Sequence, residues 1–277
     1  MKNLSLITSL VVFIQITCFG QLQRFPKQSP DSSYMSSFLL TNQNNQLFYW
    51  VSGNKLLQSR STDGVNWSDE IVIKDSIAGS TDNYPNEITG IVLNSGRIIL
   101  IFRDLLFYYI YSDDNGLTWS ARTKLPTGTS NLFYRQAHYG SITQSSTGKL
   151  LFVYTKSLSG IYFITSSDTG KTWSAEKTFA AGPLQGSVAA LSNNNLIIVY
   201  QNQGLYSSFS SDDGITWNNS GASIINDTTA NTPKVVQDQS GMLWLFYQRI
   251  VPAQFAGFSQ QDIFYKLSSD KGLTWGA

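Results

Sequence analysis

The chain has 277 residues, 13% aromatic and 13% charged, with 19 Lys and Arg against 18 Asp and Glu. Length admits either two average domains or one large all-β domain. The near-even charge excludes an overall basic field for nucleic acid or an anionic membrane, and no stretch reads as a long amphipathic helix.

Residues 1–20 read as a secretory signal. Lys2 gives a positive start, residues 4–16 are an apolar run, and Gly20 is a small residue before a cut at Gln21. The run is too short and wrongly flanked for a transmembrane segment. A lipoprotein signal with Cys18 as the lipidated residue ranks second, because Gln15 sits where such signals want a leucine-like side chain. Cys18 is the only cysteine, so a cut after Gly20 leaves no thiol for disulfides, catalysis or metal. Residues 21–33 form a polar segment rich in Gln, Ser and Pro.

From residue 34 onward, strand-length runs rich in Val, Ile, Tyr, Phe, Trp and Thr are split by Gly, Asn and Ser turns, the signal of successive hairpins. The first unit ends on Arg60-Ser61-Thr62-Asp63-Gly64-Val65-Asn66-Trp67. The second has runs at 88–93, 97–102 and 106–111 and ends on Ser112-Asp113-Asp114-Asn115-Gly116-Leu117-Thr118-Trp119. The third has runs at 140–143, 150–154 and 161–165, then Ser166-Ser167-Asp168-Thr169-Gly170-Lys171-Thr172-Trp173. The fourth has runs at 187–191, 196–200 and 205–209, then Ser210-Ser211-Asp212-Asp213-Gly214-Ile215-Thr216-Trp217. The fifth has runs at 234–237, 243–247 and 263–267, then Ser268-Ser269-Asp270-Lys271-Gly272-Leu273-Thr274-Trp275.

The last four endings fit Ser-x-Asp-x-Gly-x-Thr-Trp, and the first is a worn copy with its aspartate one place off. The residue types suit a hairpin turn. The Asp accepts backbone N–H groups of its own turn. The Gly takes positive φ without strain, and the Trp buries a large apolar body against a neighbouring repeat. Asp114, Asp168, Asp212 and Asp270 therefore read as structural staples rather than calcium ligands or catalytic acids. Four antiparallel strands per unit, repeated, predict an all-β fold of propeller type.

These boxes resemble the Asp-box (BNR) repeats of the sialidase superfamily, over roughly residues 36–275. The resemblance implies a six-bladed β-propeller, of which five blades are visible in residues 34–277, and an exo-α-sialidase type of glycoside hydrolysis. That chemistry uses a Tyr nucleophile activated by a Glu, an acid/base Asp, and arginines on the substrate carboxylate. The box itself is specific for the repeat and not for activity.

A meander of four strands puts the boxes and the tight turns at one end, and the longer, more varied loops at the other, where binding residues gather. Arg103, Arg135 and Arg249 fall at the loop end and are the candidates for a carboxylate. His138 and Tyr139 join them as substrate-binding candidates. Of the three Glu, Glu70 and Glu176 follow boxes onto outer strands, so Glu87 is the candidate base, with Asp82 and Asp104 as candidate acids. An insertion at 249–262 carries Phe255 and Phe258 as a lid or apolar wall. No metal ligands are assigned and no cofactor is called for; phosphate-loop, nucleophile-elbow and zincin motifs are absent.

Two departures from the family stand out. The strand at 34–38 lacks the arginine of the Phe-Arg-Ile-Pro-like opening, and Arg24-Phe25-Pro26 lies about ten residues early. The sequence also stops two residues past the fifth box, so the expectation is a propeller truncated at its C-terminus, with no position to take the nucleophilic Tyr. The leading function is a secreted protein that hydrolyses or binds sialic-acid-like sugars of a glycan. The rivals are a non-catalytic glycan- or protein-binding propeller and a glycosidase for neutral sugars.

Overall fold

The computed structural model describes residues 33–52, 55–74, 88–104, 106–128, 140–156, 159–182, 185–251 and 260–276. The signal-like segment, nearly all of the polar segment, and the residues Phe255 and Phe258 lie outside them. The chain divides into two compact units, residues 1–135 and 136–277.

The first unit holds two four-stranded antiparallel sheets. One runs β1 (Ser33–Leu40), β2 (Gln46–Ser52), β3 (Lys55–Ser61), β4 (Ile71–Lys74). The other runs β5 (Ile88–Val92), β6 (Ile98–Asp104), β7 (Leu106–Ser112), β8 (Thr123–Lys124). The second unit holds three sheets. The first is β9 (Gly140–Gln144), β10 (Leu150–Lys156), β11 (Gly160–Ser166) and β12 (Lys177–Ala181). The next is β13 (Gly186–Ala190), β14 (Leu196–Gln201), β15 (Leu205–Ser210) and β16 (Asn218–Ile225). The last is β17 (Ala230–Gln237), β18 (Leu243–Val251) and β19 (Gln260–Ser268), in which Gly276 adds a single antiparallel bridge to Leu267.

Within each sheet the order follows the chain, and the second strand is the most apolar. β6 reads Ile98, Ile99, Leu100, Ile101, Phe102, all at most 1% exposed, and every residue of β10 is buried. A strand covered on both faces loses the polar alternation of a half-exposed one. In the first unit, Leu47, Tyr49 and Val51 of β2 meet Ile98, Leu100 and Phe102 of β6. In the second, Leu151 and Val153 of β10 meet Leu196 and Ile198 of β14. The opposite face of β14, with Ile197 and Val199, meets Leu243, Leu245 and Tyr247 of β18.

The first strand of each sheet is paired on one side only, and the N–H groups along its free edge need acceptors. Hydroxyls of the preceding sheet supply them in the second unit. Ser141 Oγ accepts Val188 N at 3.2 Å, Thr143 Oγ1 accepts Ala190 N at 3.1 Å, and Ser187 Oγ accepts Val235 N at 3.2 Å. Ser187 and Val235 are each 1% exposed. Ser187→Ala is therefore expected to cost about 1–3 kcal/mol, because it strands a buried donor. Urea unfolding measures this; a loss below about 0.5 kcal/mol would show that the hydroxyl is not the N–H partner that matters.

The boxes close the third strand onto the fourth by one repeated scheme. The Ser hydroxyl accepts the Gly N–H at 2.8, 3.0, 2.8 and 2.8 Å in the last four boxes. Oδ1 of Asp114, Asp168, Asp212 and Asp270 accepts the Thr N–H at 2.9 Å in each. The residue before each of these glycines is left-handed: Asn115, Thr169, Asp213 and Lys271 have φ of 57°, 59°, 57° and 63°. The first box is one residue shorter and drops that left-handed residue. Asp63 Oδ1 still accepts Val65 N and Asn66 N, both at 2.8 Å. Its aspartate keeps the role although its place in the motif moved.

The second, fourth and fifth of these turns dock on the sheet before them. Gly272 has φ of 90°, which side chains rarely adopt, and a Cβ there would press on Ile197 Cδ1 at 2.8 Å. Trp119 meets Tyr49 edge-on at 5.7 Å, and Trp217 meets Phe179 at 5.4 Å.

Hydroxyl and backbone donors hold the four carboxyls of Asp114, Asp168, Asp212 and Asp270 down at about 2, first through the Thr hydroxyl. A carboxyl depressed on folding stabilises fully above its unfolded value, about 3.9, and the gain is lost as pH falls through the folded value. Each of these aspartates is half-exposed, so each contributes modestly. The melting temperature is expected to be insensitive to these groups above about pH 5 and to fall between about pH 4 and 2. Asp168→Asn should make that fall shallower; an unchanged acid limb would contradict the assignment.

Candidate functional site

The strand order puts the second-to-third loops and the crossings between sheets at the end opposite the boxes. Of the sequence candidates, Asp82, Glu87, Arg135, His138 and Tyr139 lie outside the described residues. Arg103 and Asp104 close β6 at the loop end of the first unit, Arg103 half-buried and paired in register with Phe107. Arg249 stands near the loop end of β18 in the second unit, beside Ala230 of β17 and Asp262 of β19.

Arg249 is the best-defined of these groups. Its side chain is 47% exposed, and its Nε donates to Asp227 Oδ2 at 2.6 Å. The guanidinium carbon lies 5.8 Å from the Phe264 ring centre, within reach of a cation–π contact. Asp227 sits in the crossing from β16 to β17. Its Oδ1 accepts Thr229 N at 2.8 Å and Thr229 Oγ1 at 2.7 Å. Those bonds, with the Arg249 charge behind them, hold the Asp227 carboxyl below its ordinary value, so it is a fixed anion at neutral pH. It orients the arginine and is no proton donor. Burial pushes the neighbouring Tyr247 phenol up, which keeps it neutral.

The hydrogen bonds continue along β17. Asn231 Nδ2 donates to Thr229 O at 3.0 Å, and Thr232 Oγ1 lies 2.8 Å from Asn231 Oδ1 and 3.2 Å from Gln248 Oε1. The register slips between Asn231 and Lys234, and Thr232 has φ of 51°. Asp227 is not among the site candidates read from the sequence. The available signal was an Asp two residues before a Thr at the start of a strand, which is a turn that fixes a carboxylate.

A second polar group lies in the β9–β12 sheet. Glu176 accepts from Tyr154 Oη and from Lys156 Nζ. Lys156 Nζ also lies 4.5 Å from the Tyr162 ring centre. Tyr154 is 1% exposed and the Lys156 side chain 4%. An anion, a cation and a phenol are thus satisfied among themselves, and Tyr154 is shielded from any incoming molecule. Glu176 stands on the outer side of the sheet as its place after the box requires, yet its carboxylate crosses to the second strand. Among the described residues no group of three or more His, Cys, Asp or Glu is gathered to hold a metal ion.

Comparison with known proteins agrees with this architecture. Residues 103–231 match the family described as a BNR repeat-like domain. A sialidase of Clostridium perfringens is 35% identical over 95 residues, covering 28% of this chain and 25% of that protein. Among solved structures, the Hadza microbial sialidase Hz136 superposes with a TM-score of 0.61 at 18% identity, over 87% of this chain and 57% of its own. The leech intramolecular trans-sialidase complexed with 2,7-anhydro-Neu5Ac gives 0.59 at 18% identity, over 80% and 37%. A PL25 ulvan lyase bound to a GlcA–Rha3S oligosaccharide gives 0.59 at 10%, over 86% and 69%. The chain thus spans a quarter of the Clostridium sialidase and 57% of Hz136. The repeated box, the successive antiparallel sheets and these likenesses together make this chain a sialidase-like BNR β-propeller.

Proposed function

We propose that this chain recognises a carboxylate-bearing sugar of a glycan, with sialic acid as the first candidate and a uronic acid as the second. The observation that supports it is Arg249: half-exposed, at the loop end, with its Nε engaged by Asp227 and its guanidinium carbon 5.8 Å from the Phe264 ring centre. A guanidinium held in this way presents its remaining N–H donors as a fork that matches a carboxylate. Arg103, Arg135, His138 and Tyr139 are the candidates for further contacts to the sugar, and Glu87, Asp82 and Asp104 are the candidate acid/base groups for its hydrolysis. A uronic acid ranks second because an ulvan lyase that binds a GlcA-containing chain shares the fold. The proposal also includes export, with residues 1–20 as the signal and 34–277 as the domain that meets the glycan. Among the described residues no helix is long and apolar enough to cross a membrane.

Titration calorimetry with N-acetylneuraminic acid and with glucuronic acid tests the binding, and a fluorogenic sialoside tests hydrolysis. Arg249→Ala is expected to weaken the acid sugar roughly 10- to 100-fold, the loss of a charge-assisted bond worth about 1.5–3 kcal/mol. Arg249→Lys should recover only part of it, because an ammonium has no fork. Equal affinity in wild type and Arg249→Ala, with an unchanged melting temperature, would defeat this reading.

A further inference from the structure

We propose that Gln248, Thr232 and Asn231 form a hydroxyl-reading subsite for the same sugar, resting on the glycan reading above. The starting point is the conformation of Thr232. A β-branched residue at φ of 51° is held where its side chain crowds the backbone, and such strain persists only where neighbours over-determine it. Pro233 follows it without an N–H, so the inner edge of β17 is not made for strand pairing there. The bulge between Asn231 and Lys234 turns Thr232 out of the ladder and toward the side chains of Asn231 and Gln248.

The donors and acceptors there do not balance. Thr232 has one hydroxyl proton, and two amide oxygens approach it, Asn231 Oδ1 at 2.8 Å and Gln248 Oε1 at 3.2 Å. The nearer oxygen takes the proton. If the Gln248 amide is turned, its NH2 donates to Thr232 and its oxygen points away instead. In either orientation one end of a half-buried amide is left for an outside partner. A sugar hydroxyl fits both cases, because it donates and accepts.

The position suits a two-part site. Gln248 and Arg249 are successive residues of β18 and leave opposite faces of its sheet. Hydrogen bonds run from Arg249 through Asp227, Thr229 and Asn231 to Thr232, with the Gln248 amide 3.2 Å beyond, and this network joins those two faces around the start of β17. A ligand lying across that strand end meets the charged fork on one side and the amide on the other, both oriented before it arrives.

The test uses the full chain and two probes, N-acetylneuraminic acid and neutral lactose, titrated against wild type, Gln248→Ala, Thr232→Ala and Thr232→Ser. Gln248→Ala and Thr232→Ala are each expected to weaken N-acetylneuraminic acid about 3- to 10-fold. Thr232→Ser, which keeps the hydroxyl, should bind within about twofold of wild type, and this separates lost chemistry from lost structure. Unchanged affinity in both alanine variants overturns the subsite and leaves the Arg249 reading standing. Gln248-dependent binding of lactose alone sustains the subsite and overturns the acid-sugar reading. Binding of neither probe by wild type overturns both.

Discussion

Gly160→Ala is expected to destabilise the protein by at least ~3 kcal/mol, among the largest losses from adding one methyl group. Gly160 opens β11 with φ of 133°, a conformation that side chains rarely adopt. A Cβ there would lie 2.1 Å from Ala180 O. That oxygen is main chain, held by the pairing of Gly160 with Ala181 and Ile161 with Ala180, so it has no rotamer to turn. Relief requires β12 to open from β11 beside the register slip at Ile161 and Tyr162. Gly204 repeats the arrangement one sheet later, with φ of 145° and Ile225 O 2.5 Å from its would-be Cβ. Gly182 is the control. Its φ is 99°, but nothing lies within 4 Å of an added Cβ, so Gly182→Ala carries the backbone strain alone, about 1–2 kcal/mol. Urea unfolding of the three variants decides the matter. Gly160→Ala no worse than Gly182→Ala would show that the outer strand gives way freely.

These glycines also mark where the sequence stopped being legible. The boxes were readable because every position answers a local demand: a hydroxyl for the Gly N–H, a carboxylate for the Thr N–H, a glycine against the sheet before. Such a set recurs at fixed spacing and survives even the shortened first copy, where Asp63 does the same work one place along. The pairs Gly160-Ile161-Tyr162 and Gly204-Leu205-Tyr206 were equally visible as letters. Their reason is a carbonyl from a strand 20 residues on in the first pair, which no local turn rule contains. Glu176 shows the same limit for side chains. Its place after the third box correctly put it on the outer side of its sheet. Position along a strand does not say how far a glutamate reaches, and this one crosses to the second strand. Arg249 was legible as a charged residue at a loop end. Asp227 was not legible as its partner, because the crossing from β16 brings the two together and crossings carry no period.

Glu176→Ala is expected to cost about 3–5 kcal/mol, the range for removing one partner of a buried ion pair. Two groups depend on that carboxylate. Lys156, 4% exposed at its side chain, is left as a charge with no anion beside it in this cluster. Tyr154, 1% exposed, loses the acceptor of its hydroxyl. The Phe152 and Tyr162 rings stack on Tyr154 at 5.2 and 6.3 Å and cover it on its ring faces. Lys156→Met combined with Glu176→Leu removes both charges at once and should recover most of the loss, which a double-mutant cycle in urea will measure. The pH dependence has a definite sign. Burial first, and then the Glu176 hydrogen bond and charge, push the Tyr154 phenol far above its ordinary value. A raised phenol stabilises fully below its unfolded value, about 10, and the gain is lost as pH rises beyond it. Wild type should therefore lose stability above about pH 10, with the Tyr154 phenolate absorbance emerging only as the protein unfolds. A single Glu176→Ala variant as stable as wild type, or a Tyr154 that ionises in the folded protein near pH 10, would show that the cluster is open to water and does not hold the sheet together.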